Sequence, residues 1–174
     1  EKYPAQVENT TDTYIEIFST GEKTGTGKDS WLIDVANDFN EAGIEVNGKT
    51  VSVKIRQVAS GLGMDYIVSE KYLPDEYNPS NELWGEMIKA NGKTIELYDE
   101  KMVGNVAGII MSKEKYDDLI EKYGSINLKN VTEAVANGEI NMGYTNPFAS
   151  ATGLNFLVST LSTFDSSDPL SEKA

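Results

Sequence analysis

The chain is 174 residues long, with 39% hydrophobic and 25% charged residues, the composition of a folded protein with a sizeable core rather than of a disordered segment. Its 28 acidic against 15 basic residues leave a formal net charge of −13, which repels phosphate backbones and anionic membrane surfaces and disfavours nucleic-acid binding. Cysteine and histidine are both absent, which excludes disulfides, thiolate and imidazole metal sites, and every Ser-His or Cys-His mechanism.

Residues 1–12 are polar, contain Pro4, and read as a linker left after an upstream segment. Thr13 to Phe18 alternates like a strand and ends in Ser19-Thr20-Gly21. Gly21 to Ser30 then lies where a phosphate-binding P-loop would sit, between a strand and a helix. The pattern fails twice: Glu22 stands where the first glycine is needed, and Asp29 replaces the hydroxyl after Lys28. A flexible ligand-facing loop fits better, with Lys28 as a candidate anion contact. Asp29 or Ser30 is expected to cap a helix reaching Asn40, with Trp31, Leu32, Val35, Ala36 and Phe39 on one face and Ala42-Gly43 as its stop.

Thr50 to Val58 is the second strand, running into Ala59-Ser60-Gly61-Leu62-Gly63 and a helix over Leu62 to Lys71. Tyr72 to Pro79 carries two prolines and is a loop or a short edge strand. Ser80 is expected to cap a helix bearing Leu83, Trp84, Met87 and Ile88, closed by Asn91-Gly92. Strand–helix–strand–helix order predicts an α/β protein with a largely parallel sheet.

Val103 to Met111 is the most apolar run and is expected as a buried strand. Ser112 starts a helix with Tyr116, Leu119, Ile120 and Tyr123, ended by Gly124, and a second helix from Leu128 to Asn137 closes at Gly138. Ile140 to Tyr144 alternates as a short strand, and Leu154, Leu157, Val158 and Leu161 recur at helical spacing. Residues 166–174 are a polar tail. Asp165-Ser166-Ser167-Asp168-Pro169 is similar to a truncated metal-adhesion motif, but Pro169 replaces its last serine, so it reads as a loop without metal.

Four junctions put Ser, Thr or Asn beside Gly or Pro just past an extended segment. They are Ser19-Thr20, Ser60-Gly61, Asn78 with Ser80, and Thr145-Asn146 with Ser150-Ala151-Thr152. In open α/β sheets ligands bind outside the carboxyl ends of the strands, where helix N-termini offer free N–H groups to an anion or polar solute. The alternative for each is a plain helix cap. Arg56 is the only arginine and hence the only candidate for bidentate guanidinium capture. No nucleophile stands beside a base, so catalysis has no carrier. Trp31 and Trp84 fall on apolar helix faces and are expected in the core; Tyr14, Tyr66, Tyr72, Tyr77 and Tyr144 flank the crevice edges.

Taken together, Ile15 to Gly21, Val51-Ser52-Val53 with Ala59 to Gly63, Tyr77 to Trp84, Asn105 to Met111, and Thr145-Asn146-Pro147 with Ser150 to Leu157 resemble the extracellular solute-binding proteins of ABC transporters. The resemblance is to the two-lobed group that includes molybdate- and sulfate-binding proteins and surface proteins joined to von Willebrand A domains. It implies two α/β lobes of the periplasmic-binding-protein type: residues 13–104 as lobe 1, 105–111 as a hinge crossover, and 112–165 as the start of a second, incomplete lobe. Family members are longer and return to lobe 1 later, in keeping with ends that look cut.

The implied function is non-enzymatic: a small anion or polar solute held between two lobes for ABC-type uptake, with no cofactor or metal. The implied site is Ser19, Thr20, Ser60, Gly61, Asn78, Ser80, Thr145, Asn146, Ser150, Ala151 and Thr152. The implied setting is extracytoplasmic and lipid-anchored, beside an ABC permease, without a span of its own. An adhesion or sensory module on the same fold is the alternative, with a phosphate-handling enzyme built on Gly21 to Ser30 behind it.

Overall fold

The computed structural model describes residues 3–28 and 30–172. Asp29, one of the two expected helix caps, and the last two residues of the polar tail lie outside them. The chain divides into two units, Glu1–Met102 and Val103–Ala174.

Unit 1 is mixed α/β. Its four-stranded sheet is built from β1 (Ala5–Val7), β2 (Tyr14–Ser19), β5 (Ser52–Gln57) and β6 (Glu76–Asn78), in the order β1-β5-β2-β6. β5 and β6 both pair parallel to β2, while β1 runs antiparallel on the β5 edge. One feature departs from expectation here and one alternative is resolved. Residues 5–7, within the segment read as linker, form a strand, and the proline-rich segment contributes the short edge strand of its two alternatives. The chain just past β1 is tied to β5: Ser52 Oγ accepts from the backbone N–H of Thr10 and of Thr11, each at 3.2 Å, and Asn40 reaches Glu8 O and clasps both backbone groups of Val53.

Helices α1 (Gly21–Thr24), α2 (Trp31–Ala42), α3 (Ser60–Val68) and α4 (Leu83–Ala90) make the rest, with a two-residue-per-strand hairpin, β3 (Glu45–Val46) and β4 (Lys49–Thr50). α2 covers one sheet face: Leu32 and Ala36 pack with Val7, Ile17 and Ile55, and Trp31 lies against them. Gly43, at φ 60°, ends α2 in the left-handed conformation that glycine adopts without a Cβ penalty. Ser30 occupies the N-cap but its hydroxyl donates to Gly27 O at 2.6 Å instead of capping the helix. Phe18, Trp84 and Ile88 are fully buried, so Trp84 is a core residue.

A polar network centred on the buried Glu16 links β2 to β5 and to the segment before β6. Glu16 takes Arg56 Nε on one oxygen at 2.8 Å and Tyr72 Oη on the other at 2.7 Å. Asp75 is tied to the Glu16 backbone twice, accepting from its N–H at 2.8 Å and donating its own to the Glu16 carbonyl at 2.9 Å. Arg56 also donates to Tyr3 O and sits over the Tyr72 ring. The only arginine is thus committed to holding strands in register, and the candidacy for ligand capture gives way to a structural role. Burial, and next the hydrogen bond to Glu16, push the Tyr72 hydroxyl above its ordinary pKa.

Unit 2 is helical where it is regular: α5 (Lys113–Tyr123), α6 (Leu128–Ala136) and α7 (Ala151–Ser162). Ser112 and Asn127 cap α5 and α6 through their side chains, and Gly124 and Gly138 follow at positive φ. Leu119, Val131 and Ala134 form the core, with Met111, Ile140 and Met142 packed on it. The expected strands at Val103–Met111 and Ile140–Tyr144 do not form. A strand needs a ladder partner for its N–H and C=O rows, and although residues 109–111 and 140–142 line one pocket, no ladder joins them to each other or to any described strand. Val106 and Ile110 are accordingly 96% and 99% exposed, so the most apolar run is not buried.

Candidate functional site

The parallel register brings three of the four predicted junctions to one edge of the sheet. Ser19, the last residue of β2, pairs with Gln57 at the end of β5 and with Asn78 at the end of β6. The chain leaves β2 for β5 on one side, then crosses to β6 on the other. The strand order therefore reverses between β2 and β6, the position at which open α/β sheets leave a crevice.

Side chains meet there. Thr20 Oγ1 and Ser80 Oγ are 2.8 Å apart. Ser60, at the start of α3, accepts from the Ser80 N–H at 3.4 Å, and its own carbonyl accepts from Tyr77 Oη at 2.6 Å. Burial holds the Tyr77 hydroxyl protonated far above its ordinary range, so this bond persists at any physiological pH. Ser19 is buried, and its Oγ has no hydrogen-bond partner among the described residues. Gly61 is buried within α3.

Ser80 does not cap α4. The N-cap position is Glu82, without a side-chain cap bond, while Asn81 Oδ1 accepts from the Leu83 N–H at 2.7 Å, and the Ser80 hydroxyl faces Thr20 instead.

The cation of the site is Lys23, which sequence reasoning missed. α1 turns directly after Thr20, with the Lys23 N–H bonded to Thr20 O at 3.0 Å and the Thr24 hydroxyl to the same carbonyl at 2.9 Å. That turn folds Lys23 inward, to 5% exposure. Its Nζ donates to Asn78 O at 3.2 Å and lies 3.5 Å from both Pro79 O and Ser80 Oγ. Among the described residues no carboxylate forms an ion pair with it. Burial pushes its pKa down, opposed by the field of Glu22. Lys28, the candidate anion contact, is instead exposed, and residues 21–24 are a helical turn rather than a phosphate-cradling loop. The available signal was a lysine three residues past a strand-ending threonine, one helical turn away and so on the same side.

The fourth junction lies in unit 2 and is described by itself. Thr145 Oγ1 donates to Ser150 Oγ at 2.9 Å, and Asn146 Oδ1 accepts from the Phe148 N–H at 2.9 Å in a local turn. Ser150 occupies the N-cap of α7 without capping through its side chain; Ala151 is buried and Thr152 exposed. The turn is pressed against the helix at Gly153, where a Cβ would come 2.1 Å from the Thr145 carbonyl oxygen. Gly153→Ala is therefore expected to lose about 1–3 kcal/mol of unit 2 stability through forced backbone displacement, read as a lower urea midpoint.

No group of three or more acidic side chains able to hold a metal occurs among the described residues, and no described helix is long and apolar enough to cross a membrane. Asp165 is held in its own turn by the Ser167 and Ser171 hydroxyls and two backbone N–H groups, which bring its pKa to about 2. Those bonds are what the truncated metal-adhesion motif spends its carboxylate on. No protein-family model matches the chain, and no curated protein or solved structure matches it.

Proposed function

We propose that this chain is a non-enzymatic ligand-binding module of the extracellular solute-binding type, which takes a small anion or polar solute at the carboxyl ends of β2 and β6. The observation that carries the reading is Lys23: a buried ammonium with no ion-pair partner among the described residues, beside the hydroxyls of Thr20 and Ser80 at the strand-order reversal. A buried charge whose nearby carboxylate, Glu22, stays beyond ion-pair distance is costly, and a bound anion in direct contact offsets that cost. Hydroxyl groups orient oxygen atoms without adding charge. The hydroxyls of Thr20 and Ser80 reach the exposed Glu22 carboxylate, but among the described residues no third group is seen orienting it as a base, and binding rather than turnover is proposed. The two-lobed solute-binding architecture, lipid anchoring outside the cytoplasm and delivery to an ABC permease are parts of the same proposal, supported by the resemblance of the strand-end motifs.

A thermal-shift series tests it. Sulfate, phosphate, acetate, a neutral sugar and an aliphatic alcohol are each titrated into the chain and into Lys23→Met. A binding anion at one hundred times its Kd adds about 2.7 kcal/mol, or several degrees of melting temperature, to the unmodified chain and nothing to the variant. A response confined to the alcohol, or an anion response that survives Lys23→Met, would show the reading to be wrong.

A further inference from the structure

Glu22 is the exposed member of the cluster, and its position is specific. One carboxylate oxygen accepts from Thr20 Oγ1 at 2.5 Å and also from Ser80 Oγ. Both hydroxyl protons of the crevice therefore point at a single carboxylate, supplied by the chain itself. Lys23, the next residue, stands 3.5 Å from the same Ser80 hydroxyl yet forms no ion pair with Glu22. A carboxylate placed to satisfy α1 alone would sit at the helix N-terminus without reaching across to β6. Here it spans from α1 to the residue two past the end of β6, and fills the space between two strand ends.

We propose that Glu22 is a resident occupant of the site, that the ligand is a small carboxylate-bearing solute, and that binding exchanges the ligand's carboxylate for that of Glu22 on the Thr20 and Ser80 hydroxyls. This rests on the anion-binding reading above and adds to it the ligand's class and a built-in competitor. The exchange is chemically even at the hydroxyls, since one carboxylate replaces another. The gain comes at Lys23, which acquires a counter-charge that Glu22 does not bring within ion-pair distance. Glu22 is exposed and attached through a short turn, so it is free to leave. The competitor also sets a threshold. Only a carboxylate that reaches both the hydroxyl pair and Lys23 displaces it, so solutes offering neutral oxygen alone are rejected.

The experiment is calorimetric titration of acetate, sulfate and acetamide into the unmodified chain, Glu22→Gln and Glu22→Ala. Glu22 is on the surface, and both variants are expected to fold. Removing the occupant should tighten acetate at least about tenfold in Glu22→Ala, with Glu22→Gln between. Sulfate should gain less, and acetamide should bind none of the three. In amide spectra of Glu22→Ala, acetate should move Thr20 and Ser80 toward their positions in the unmodified chain. Acetate affinity unchanged by either substitution, with anions still bound through Lys23, would overturn the resident-occupant assignment and leave the anion site standing. Sulfate gaining as much as acetate would overturn the carboxylate class. No anion binding in any of the three proteins would overturn the anion site itself.

Discussion

Replacing Arg56 by methionine is expected to cost about 3–5 kcal/mol, the loss found when one partner of a buried ion pair is removed and the other is left uncompensated. Glu16 is the group left behind. It is 8% exposed, and of its remaining partners Tyr72 is neutral, so its charge would stand in the interior with one hydroxyl to support it. The double variant Glu16→Gln with Arg56→Met should recover most of the loss, because no buried charge then remains. Urea unfolding of the two singles and the double reads both terms. A loss below about 1 kcal/mol for Arg56→Met would place the pair in the class of solvated surface bridges and remove the network as an organiser of the sheet.

The network matters to the site because of where it acts. Glu16 and its Asp75 partner tie β6 to β2 upstream of Thr20 and Ser80. β6 is only three residues long, too short to fix its own register by ladder bonds. Asp75, on the Glu16 backbone, and the Tyr72 hydroxyl, on the Glu16 carboxylate, add to that pairing just upstream of the two hydroxyls, which stand 2.8 Å apart. The single arginine acts on the β2–β5 side of the sheet and meets the β6 side only through the Glu16 carboxylate it shares with Tyr72.

The parts legible in the sequence were those written in local periodicity. β2, β5, α2 and α4 follow alternation or helical spacing, and α5 and α6 follow caps and glycine stops that act within a few residues. The convergence of Ser19-Thr20, Ser60 and Asn78-Ser80 was also legible, because three parallel strands of similar register must end together. What failed depended on neighbours distant in sequence. Val103–Met111 has the composition of a buried strand, yet a strand is a property of a pair, and no described segment pairs with it. Ser80 is a competent cap by residue type, yet α4 starts three residues later with Glu82 at the cap position, and that offset frees the Ser80 hydroxyl. A lysine in a Gly- and Thr-rich loop is ordinarily solvated, so residue type alone does not mark Lys23 as buried. Only the tight turn after Thr20 buries it.

Ligand affinity should fall with rising pH in the alkaline range, and Lys23 sets the sign. Burial lowers its pKa in the free protein below the ordinary 10.5, so the folded chain gives up this proton more readily than the unfolded chain. Below the lowered pKa the ammonium is charged, penalised by burial, and ready for an anion. A bound carboxylate favours the charged form, so binding raises the pKa of Lys23 and takes up a proton in the interval between the free and bound values. Acetate affinity of Glu22→Ala is therefore expected to be flat below the free-state pKa. Above it, affinity should drop about tenfold per pH unit, each unit being worth about 1.36 kcal/mol, until the bound-state value is reached. Stability without ligand moves the other way: the charged amine's burial penalty is relieved as pH rises through the lowered pKa toward 10.5, so the stability of the unmodified chain relative to Lys23→Met should rise over that window. Tyr77 stays protonated throughout and does not contribute. Calorimetry from pH 7 to 10.5 in buffers of different ionisation enthalpy measures both affinity and proton uptake. Affinity that is level across the range, with no proton taken up, would mean that the anion is held without Lys23, and the buried ammonium would lose its place in the site.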